Sequence, residues 1–371
     1  MKIISFKYFK VLVPTTKNLI SSYGENNKFI RTLIQIKTPH HEGWGEIYGD
    51  YCDSALNFYK KHLPKKHLHP TYLQKFWNNS SDYGILQTDA KINNQALIGI
   101  EMALNDIYSK EKRVPLYELL REQNIKYVKS YPESVKFSTY SYNFHGKDNI
   151  NKLIEDLRRN LPLYNSNYIE FKLGLHGVEH DIQTVTAIRK EFGNDIGIRV
   201  DINMGYTYEN ALKFINYTKS LNIITEEPIS NPYLMDKLAF KTKTKISTHC
   251  TDPRVMTSCF NIYGLVPDLG IEKINNIKIT YDKPFWFRSA GELGIGFANM
   301  CHHIMANKYY HPSQSLIHLA EDDLLSSNKW KLGQDGFSIL PGVYGLGVKV
   351  DLDKMKYYNY LYHQLNGIAH H

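Results

Sequence analysis

The chain has 371 residues, which is enough for two domains or for one barrel with an additional module. Hydrophobic residues make up 42% and charged residues 22%, so the disordered, collagen-like and disulfide-scaffold classes are excluded. No stretch approaches the ~18 consecutive apolar residues of a membrane span. The net charge of +8 comes from scattered basic residues, so we expect neither a membrane nor a nucleic acid as partner.

The first 130 residues predict a small α+β unit. Residues 1–12 and 29–38 alternate and are rich in β-branched and aromatic side chains, which indicates two strands. Trp44-Gly45-Glu46 predicts a third strand. Residues 55–62 and 90–110 predict helices, because apolar residues recur there at helical spacing.

From about Val135 the pattern changes to an alternation of strands and helices. Strands are predicted at Val135–Tyr142, Tyr168–Leu173, Ile196–Ile202, Ile223–Glu226 and Lys245–Thr248, with helices at Lys147–Asn160, Val178–Phe192 and Thr207–Leu221. Units of about 25–30 residues are typical of parallel strands with crossover helices, and eight such units make a (β/α)8 barrel. The tail fits neither pattern and is a candidate for a return to the first unit.

Polar side chains follow four successive predicted strands at the point where each strand ends. They are Lys172, Asp201 with Asn203, Glu226 with Glu227, and His249. In a barrel these ends meet at one mouth, where the chemistry takes place. Carboxylates from two neighbouring strands suit a hard divalent cation, and we predict Mg²⁺. If His249 completes the set, Mn²⁺ or Zn²⁺ are alternatives.

Lys172 is the predicted base of this site. A nearby divalent cation disfavours the ammonium form of a lysine and lowers its pKa, so that the neutral amine removes a proton alpha to a metal-bound carboxylate. The metal would stabilise the resulting enediolate. Each side chain taken alone is more often a helix N-cap, a salt-bridge partner or a solvated residue, so the hypothesis depends on their order along four strands.

The pattern resembles the enolase superfamily, in its mandelate racemase and glucarate dehydratase branch. The similar segments are Gly43–Glu46, Ile100–Ile107, Val114–Tyr117, Arg199–Asn203, Glu226–Pro228 and Tyr344–Val348. The resemblance covers most of the chain. It implies a modified (β/α) barrel closed by an α+β capping domain built from both termini. We accordingly predict an N-terminal capping part at 1–130, a barrel at 131–330 and a C-terminal return to the cap at 331–371.

The resemblance also implies roles for individual residues. Lys172 matches the second lysine of the Lys-x-Lys base motif, and Asp201 and Glu226 match the first two metal ligands. Ser247-Thr248-His249 is similar to a Ser-Thr-His variant found in glucarate dehydratase-like members. The segment 284–289 is similar to the seventh strand, which puts Arg288 and Ser289 at its end, and 312–315 is similar to the eighth.

Three departures from the family pattern stand out. Glu170 replaces the first lysine, which normally contacts the substrate carboxylate. His249 replaces an acidic or amide ligand. The stretch from Pro267 to Phe285 is short, so we predict that the sixth barrel unit is truncated.

The usual His–Asp dyad of the sixth and seventh strands has no clear counterpart. His302 and His303 fit core packing better than catalysis. Lys278 fits a surface lysine better than a sixth-strand base.

The leading prediction is a sugar-acid dehydratase, a lyase that removes the alpha proton and eliminates water. Its predicted residues are Lys172 and His249 for catalysis, Asp201, Glu226 and His249 for the metal, and Glu170, Asn203, Arg288 and Ser289 for the substrate. A racemase or epimerase, and a relative without catalytic activity, remain the alternatives. We expect a small carboxylate as substrate and a homo-oligomer. We also expect a cytoplasmic location with reduced thiols, because the chain is long and its first residues lack the apolar run of a signal peptide.

Overall fold

Three groups of secondary structure follow one another along the chain. In the computed structural model the described residues are 2–21, 24–64, 90–122, 131–141, 150–249, 261–265, 271, 274–275, 277, 285–307, 312–333 and 336–367. None of the helices within these segments is both long enough and apolar enough to cross a lipid bilayer.

The N-terminal group is an antiparallel sheet of three strands, β1-β2-β3, packed against helices. Its elements are β1 (Ser5–Ser21), β2 (Gly24–Lys37), β3 (Glu42–Tyr48), α1 (Asp53–His62), α2 (Ala90–Lys112) and α3 (Leu116–Glu122). One face of the sheet is buried because its apolar side chains, among them Ile34, Ile36 and Ile47, pack against Leu97 and Leu104 of α2. The three predicted strands and two predicted helices of this unit are all present.

Helix α2 approaches β3 closely because two glycines of that strand have no side chain. A Cβ atom at Gly45 would collide with the carbonyl group of Gly99, and one at Gly43 with the carbonyl group of Ala103. Between them Trp44 is only 2% exposed. The two glycines are therefore required by the packing of the helix on the sheet.

The second group is a parallel sheet of seven strands in the order β4 to β10. They are β4 (Thr139–Ser141), β5 (Tyr168–Lys172), β6 (Gly197–Asp201), β7 (Ile223–Glu226), β8 (Ile246–Thr248), β9 (Asn261–Leu265) and β10 (Phe285–Phe287). Ser313 and Gln314 close this sheet into a ring by backbone hydrogen bonds. The Ser138 N–H donates to the Ser313 carbonyl at 2.7 Å, and the Gln314 N–H donates to the Phe287 carbonyl at 2.8 Å. Ser313 and Gln314 thus fill the eighth position of a barrel.

Helices follow most of these strands. They are α4 (Ile150–Tyr164), α5 (Val178–Phe192), α6 (Tyr208–Thr218), α7 (Pro232–Thr242) and α8 (Gly294–Met305). Capping side chains set where two of them begin: Thr207 accepts from the Asn210 N–H, and Asn231 accepts from the N–H groups of Tyr233 and Leu234. These caps end the short loops that follow β6 and β7, the strands whose ends carry polar side chains.

The C-terminal group returns to the N-terminal sheet. Its elements are a 3₁₀ turn (Ile317–Leu319), β11 (Leu325–Asn328), β12 (Trp330–Gly333), β13 (Gly336–Ile339), β14 (Val348–Val350) and α9 (Leu352–Gly367). Helix α9 packs on β1, and the Asn359 side chain donates to the Lys10 carbonyl at 2.6 Å. The domain boundaries at residues 130 and 330 stay a prediction.

The structure differs from the prediction in the fifth and sixth barrel units. The sixth strand is β9, Asn261–Leu265, and the shortest connection between described barrel strands is residues 249–260, which precedes it. Between β9 and β10 the described residues Ile271, Ile274, Asn275 and Ile277 are helical. The shortening therefore falls before the sixth strand and not after it. The alternative of a sixth-strand base at Lys278 stays a prediction, because Lys278 lies outside the described residues.

Candidate active site

Charged side chains from neighbouring parallel strands meet at the carboxyl-terminal edge of the barrel. In register, Lys172 of β5 is paired with Asp201 of β6, and Asp201 with Glu226 of β7. The three side chains are buried, with 5%, 2% and 1% exposure. His249 follows β8, the next strand, and reaches Glu226. The structure therefore brings together the four side chains that lie at the ends of successive strands.

The carboxylate of Asp201 is held by three donors. Lys172 Nζ forms an ion pair with Oδ2. Asn203 donates its backbone N–H to Oδ1 at 2.8 Å and its side-chain amide to Oδ2 at 3.1 Å. Asn203 adopts this position with a positive φ of 48°, and the next residue, Met204, has a φ of 62°. Such backbone strain is typical of functional sites, and here it turns Asn203 back onto Asp201.

Glu226 and His249 form the second pair of the edge. His249 Nε2 lies 2.5 Å from Glu226 Oε1. Burial and the charge of Asp201 raise the pKa of Glu226 to about 8. Burial and the charge of Arg288 lower the pKa of His249 to about 4, so the imidazole is neutral at pH 7. Glu226 Oε2 accepts no hydrogen bond from any described residue.

Glu227 is a third buried carboxylate, and the prediction gave it no role. It is 2% exposed and has a positive φ of 43°. Its Oε1 accepts from the Thr248 hydroxyl at 3.0 Å and from the His249 backbone N–H. Glu227 thereby fixes the end of β8, from which the His249 side chain reaches Glu226.

Below the edge, Glu170 and Arg199 form an ion pair with no solvent exposure on either side chain. Glu170 also accepts hydrogen bonds from Ser138 and Gln314. Glu170 was predicted to contact the substrate. Its burial and its full set of partners argue against that role, and Arg199 offsets the negative charge that would repel a carboxylate.

Arg199 and its partner Trp286 were missed as site residues. The guanidinium carbon lies 3.4 Å from the centre of the Trp286 ring. Arg199 Nε is 3.7 Å from Glu226 Oε2. The alternation of side chains along a strand puts Arg199 on the same face as Asp201. This pattern could have identified Arg199 as a site residue from the sequence.

Arg288 and Ser289 follow β10, and their environments differ. Arg288 is partly exposed. Its positive charge acts to lower the pKa of both Glu226 and His249, although burial and Asp201 raise the pKa of Glu226 overall. The Arg288 Nε is buried and has no hydrogen-bond partner among the described residues. Ser289 is 5% exposed, and its hydroxyl donates to Glu292. Arg288 is thus available to a ligand, whereas the Ser289 hydroxyl is engaged within its loop.

His302 and His303 lie on α8, away from this edge. His302 is fully buried, accepts a hydrogen bond from the Tyr117 N–H at 3.1 Å and packs edge-on against Trp330. His303 is 6% exposed and lies near the ring of Phe287. Their surroundings agree with the expectation that both pack in the core.

The predicted metal site depends on Asp201, Glu226 and His249. Among the described side chains, no three His, Cys, Asp or Glu residues already converge as ligands. Asp201 and Glu226 nevertheless fit a hard divalent cation, because they are adjacent in register and Glu226 Oε2 lacks a hydrogen-bond donor. His249 becomes a third donor only if its Nε2 leaves Glu226. The donor set fits, provided that the Lys172 and His249 contacts rearrange.

The chain is similar to known proteins in sequence and in fold. The family model described as "Enolase C-terminal domain-like" matches residues 155–252, which contain Lys172, Asp201, Glu226 and His249. An arabinonate dehydratase of Saccharolobus solfataricus is 35% identical over 140 residues, 37% of this chain and 34% of that protein. An N-succinyl-L-Arg/Lys racemase of Bacillus cereus is 22% identical over 250 residues, 64% of this chain and 61% of the racemase. The matched stretch thus spans less than two thirds of either relative.

The structural comparison extends over nearly the whole chain. The structure of an enolase from Pseudomonas fluorescens, with bound magnesium, potassium and tartrate, superposes with a TM-score of 0.82. The alignment covers 97% of this chain and 92% of that one at 19% sequence identity. At this identity the match shows the fold, a capping unit with a (β/α) barrel.

Proposed function

Because the chain belongs to the enolase superfamily, we propose that it is an enzyme which removes a proton alpha to a carboxylate and eliminates water from a sugar acid. The observation that carries the proposal is the buried edge in which Lys172 contacts Asp201 and His249 contacts Glu226. A base, two carboxylates and an imidazole thus occupy successive strands. The match to an arabinonate dehydratase supports the sugar-acid assignment.

Asp201 and Glu226 would hold Mg²⁺, with His249 as the third donor and Mn²⁺ as an alternative ion. A divalent cation here supplies positive charge where negative charge develops on the substrate carboxylate. Arg199 and Asn203 support the two carboxylates. Asn203 holds Asp201 by two hydrogen bonds, and Arg199 lies against the open oxygen of Glu226.

Lys172 would accept the alpha proton. It would act as the neutral amine, the form that a divalent cation held by Asp201 and Glu226 would favour. The side chain is buried and lies against Asp201, so it is fixed at the edge and shielded from bulk water. A water beside His249 would give a proton to the departing beta hydroxyl, with the neutral imidazole as the relay, and the proton taken by Lys172 would return to solvent. These steps balance as the loss of one water molecule, and they leave a 2-keto acid after tautomerisation.

Arg288 would bind an anionic group of the substrate. Its buried Nε has no hydrogen-bond partner among the described residues, and a guanidinium binds carboxylates with two parallel hydrogen bonds. Tartrate, a small hydroxy dicarboxylate that binds the Pseudomonas fluorescens enolase, is therefore a suitable probe.

A racemase or epimerase is the second candidate, and the match to an N-succinyl-L-Arg/Lys racemase favours it. Inversion requires a base on the opposite side of the alpha carbon from Lys172. In the described part of the edge, His249 is the group that would have to serve as this second base.

One experiment separates these functions. A library of acid sugars is incubated with the protein and Mg²⁺, and the products are analysed for 2-keto acids and for epimers. A 2-keto acid supports the dehydratase, and an epimer without loss of water supports the racemase. If no acid reacts and Mg²⁺ produces no thermal stabilisation, the result supports the alternative of a relative without catalytic activity.

A further inference from the structure

Two buried charged side chains of the N-terminal sheet reach across to the loop that follows β10. Arg31 lies on β2 and Glu46 on β3, and each is 3% exposed. Arg31 Nε is 3.5 Å from Glu46 Oε1. The Arg31 guanidinium also donates to the backbone carbonyls of Ala290 and Gly291.

Glu46 binds the same loop through its two oxygens. Oε1 accepts the Leu293 N–H at 2.7 Å, and Oε2 accepts the Gly296 N–H at 2.8 Å. These N–H groups belong to the start of α8, where a helix has unsatisfied donors and a partial positive charge. A carboxylate of one sheet therefore caps a helix of the barrel.

The loop is shaped to receive Arg31. Gly291 has a φ of 77°, and a Cβ atom there would lie 2.6 Å from the Phe29 ring and 3.1 Å from the Arg31 guanidinium. On its own sheet, Arg31 stacks 4.5 Å from the centre of the Tyr48 ring. A glycine on one side and an aromatic ring on the other thus define the place of the guanidinium.

This loop begins with Arg288, whose charge acts on Glu226 and His249. Inside the loop, Ser289 donates its N–H to Gln314 at 3.0 Å and its hydroxyl to Glu292. The Gly291 N–H donates to the Ser289 hydroxyl at 2.9 Å. The segment from Arg288 to Gly291 is thus tied to the barrel at one end and to the N-terminal sheet at the other.

We propose that Arg31 and Glu46 are positioning residues of the active site, which hold Arg288 where its guanidinium meets an anionic group of the substrate. The N-terminal sheet thereby contributes to substrate recognition through residues that do not touch the substrate. This inference rests on the proposed function in one respect, namely that Arg288 contacts the substrate.

The binding test uses tartrate in the presence of Mg²⁺, measured by titration calorimetry. Arg31→Met and Glu46→Ala are expected to weaken tartrate binding about tenfold, the loss of one hydrogen bond to a charged group. The conservative variants Arg31→Lys and Glu46→Gln should recover part of the affinity.

The matched control is Arg189→Met. Arg189 binds the carbonyls of Gly193 and Ile196, before β6 and so at the opposite end of the barrel. That variant should lose thermal stability with unchanged tartrate affinity.

A second measurement, hydrogen exchange, is independent of ligand and activity. In Glu46→Ala the backbone amides of Ser289 and Gly291, which Glu46 does not contact, should exchange faster than in the wild type and in Arg189→Met. Unchanged exchange at both amides, or tartrate affinity equal to that of the wild type, overturns the inference. If the wild type itself binds no tartrate, the proposed carboxylate site is wrong, and the exchange of Ser289 and Gly291 alone decides whether the loop is positioned by Arg31 and Glu46.

Discussion

Glu170 and Arg199 form an ion pair in the interior of the barrel, and neither side chain is exposed to solvent. The pair lies one step below the edge, since Glu170 precedes Lys172 and Arg199 precedes Asp201 by two residues on their strands. Trp286 covers the guanidinium, and Ser138 donates to Glu170 at 2.9 Å. This pair of opposite charges thus lies beneath the edge that carries Lys172 and Asp201 and adds no net charge to it.

Arg199→Met is expected to destabilise the protein by about 3–5 kcal/mol, because it leaves the Glu170 carboxylate buried without its partner. Glu170→Gln is expected to cost a similar amount, since the Arg199 guanidinium is then buried without its carboxylate, although the amide oxygen still accepts the Ser138 hydrogen bond. The double variant should recover part of the loss. Urea denaturation of the three variants measures these differences, and a double variant less stable than Arg199→Met would contradict the explanation.

Lys172→Ala is expected to abolish exchange of the substrate alpha proton in D₂O, with a fall of about a thousandfold, the usual contribution of a general base. Proton NMR of the recovered substrate measures the exchange. Lys213→Ala, which removes an exposed lysine paired with Glu179, is the control and should exchange like the wild type. Exchange that persists in a folded Lys172→Ala protein would remove Lys172 from the role of base.

Glu226→Gln is expected to eliminate thermal stabilisation by Mg²⁺, because it removes a charged oxygen ligand. For one site, stabilisation of the wild type should reach about 2.7 kcal/mol when the ion is at 100 times its Kd. Glu227→Gln is the matched control, since Glu227 is a neighbouring buried carboxylate that binds Thr248 and the His249 backbone. The ligand assignment would be contradicted if both variants responded to Mg²⁺ as the wild type does.

Much of the fold was predictable because the barrel sequence is strongly periodic. Helix Val178–Phe192 and strand Ile223–Glu226 were predicted with the bounds that the structure has. The sixth strand, Asn261–Leu265, was not predicted, because a five-residue segment with one glycine gives no periodic signal.

The candidate site was predictable to the extent that it depends on strand ends. The meeting of Lys172, Asp201, Glu226 and His249 follows from parallel strands, although their chemical roles stay predictions. The contact of Glu46 with Leu293 joins residues 247 positions apart, and no local pattern indicates such a pair. Distant hydrogen bonds of this kind depend on the docking of two units and are visible only in three dimensions.

His302 gives the protein a pH-dependent stability that is independent of the active site. Burial lowers its pKa from 6.5 to about 3, so between these values the unfolded chain binds a proton that the folded chain excludes. Its contribution is therefore complete above pH 6.5 and is lost as the pH falls, at about 1.4 kcal/mol for each pH unit below 6.5. His302→Gln keeps an acceptor for the Tyr117 N–H but removes the titration.

Urea denaturation at pH 7, 6 and 5 should consequently show the free energies of unfolding of the wild type and His302→Gln approaching each other as the pH falls. His40→Gln, a substitution at an exposed position, is the control and should follow the wild type throughout. Parallel curves for the wild type and His302→Gln would mean that His302 takes up a proton in the folded protein as readily as in the unfolded chain. Its packing between Tyr117 and Trp330 would then have to accommodate a charge, which the Leu346 backbone offsets only in part.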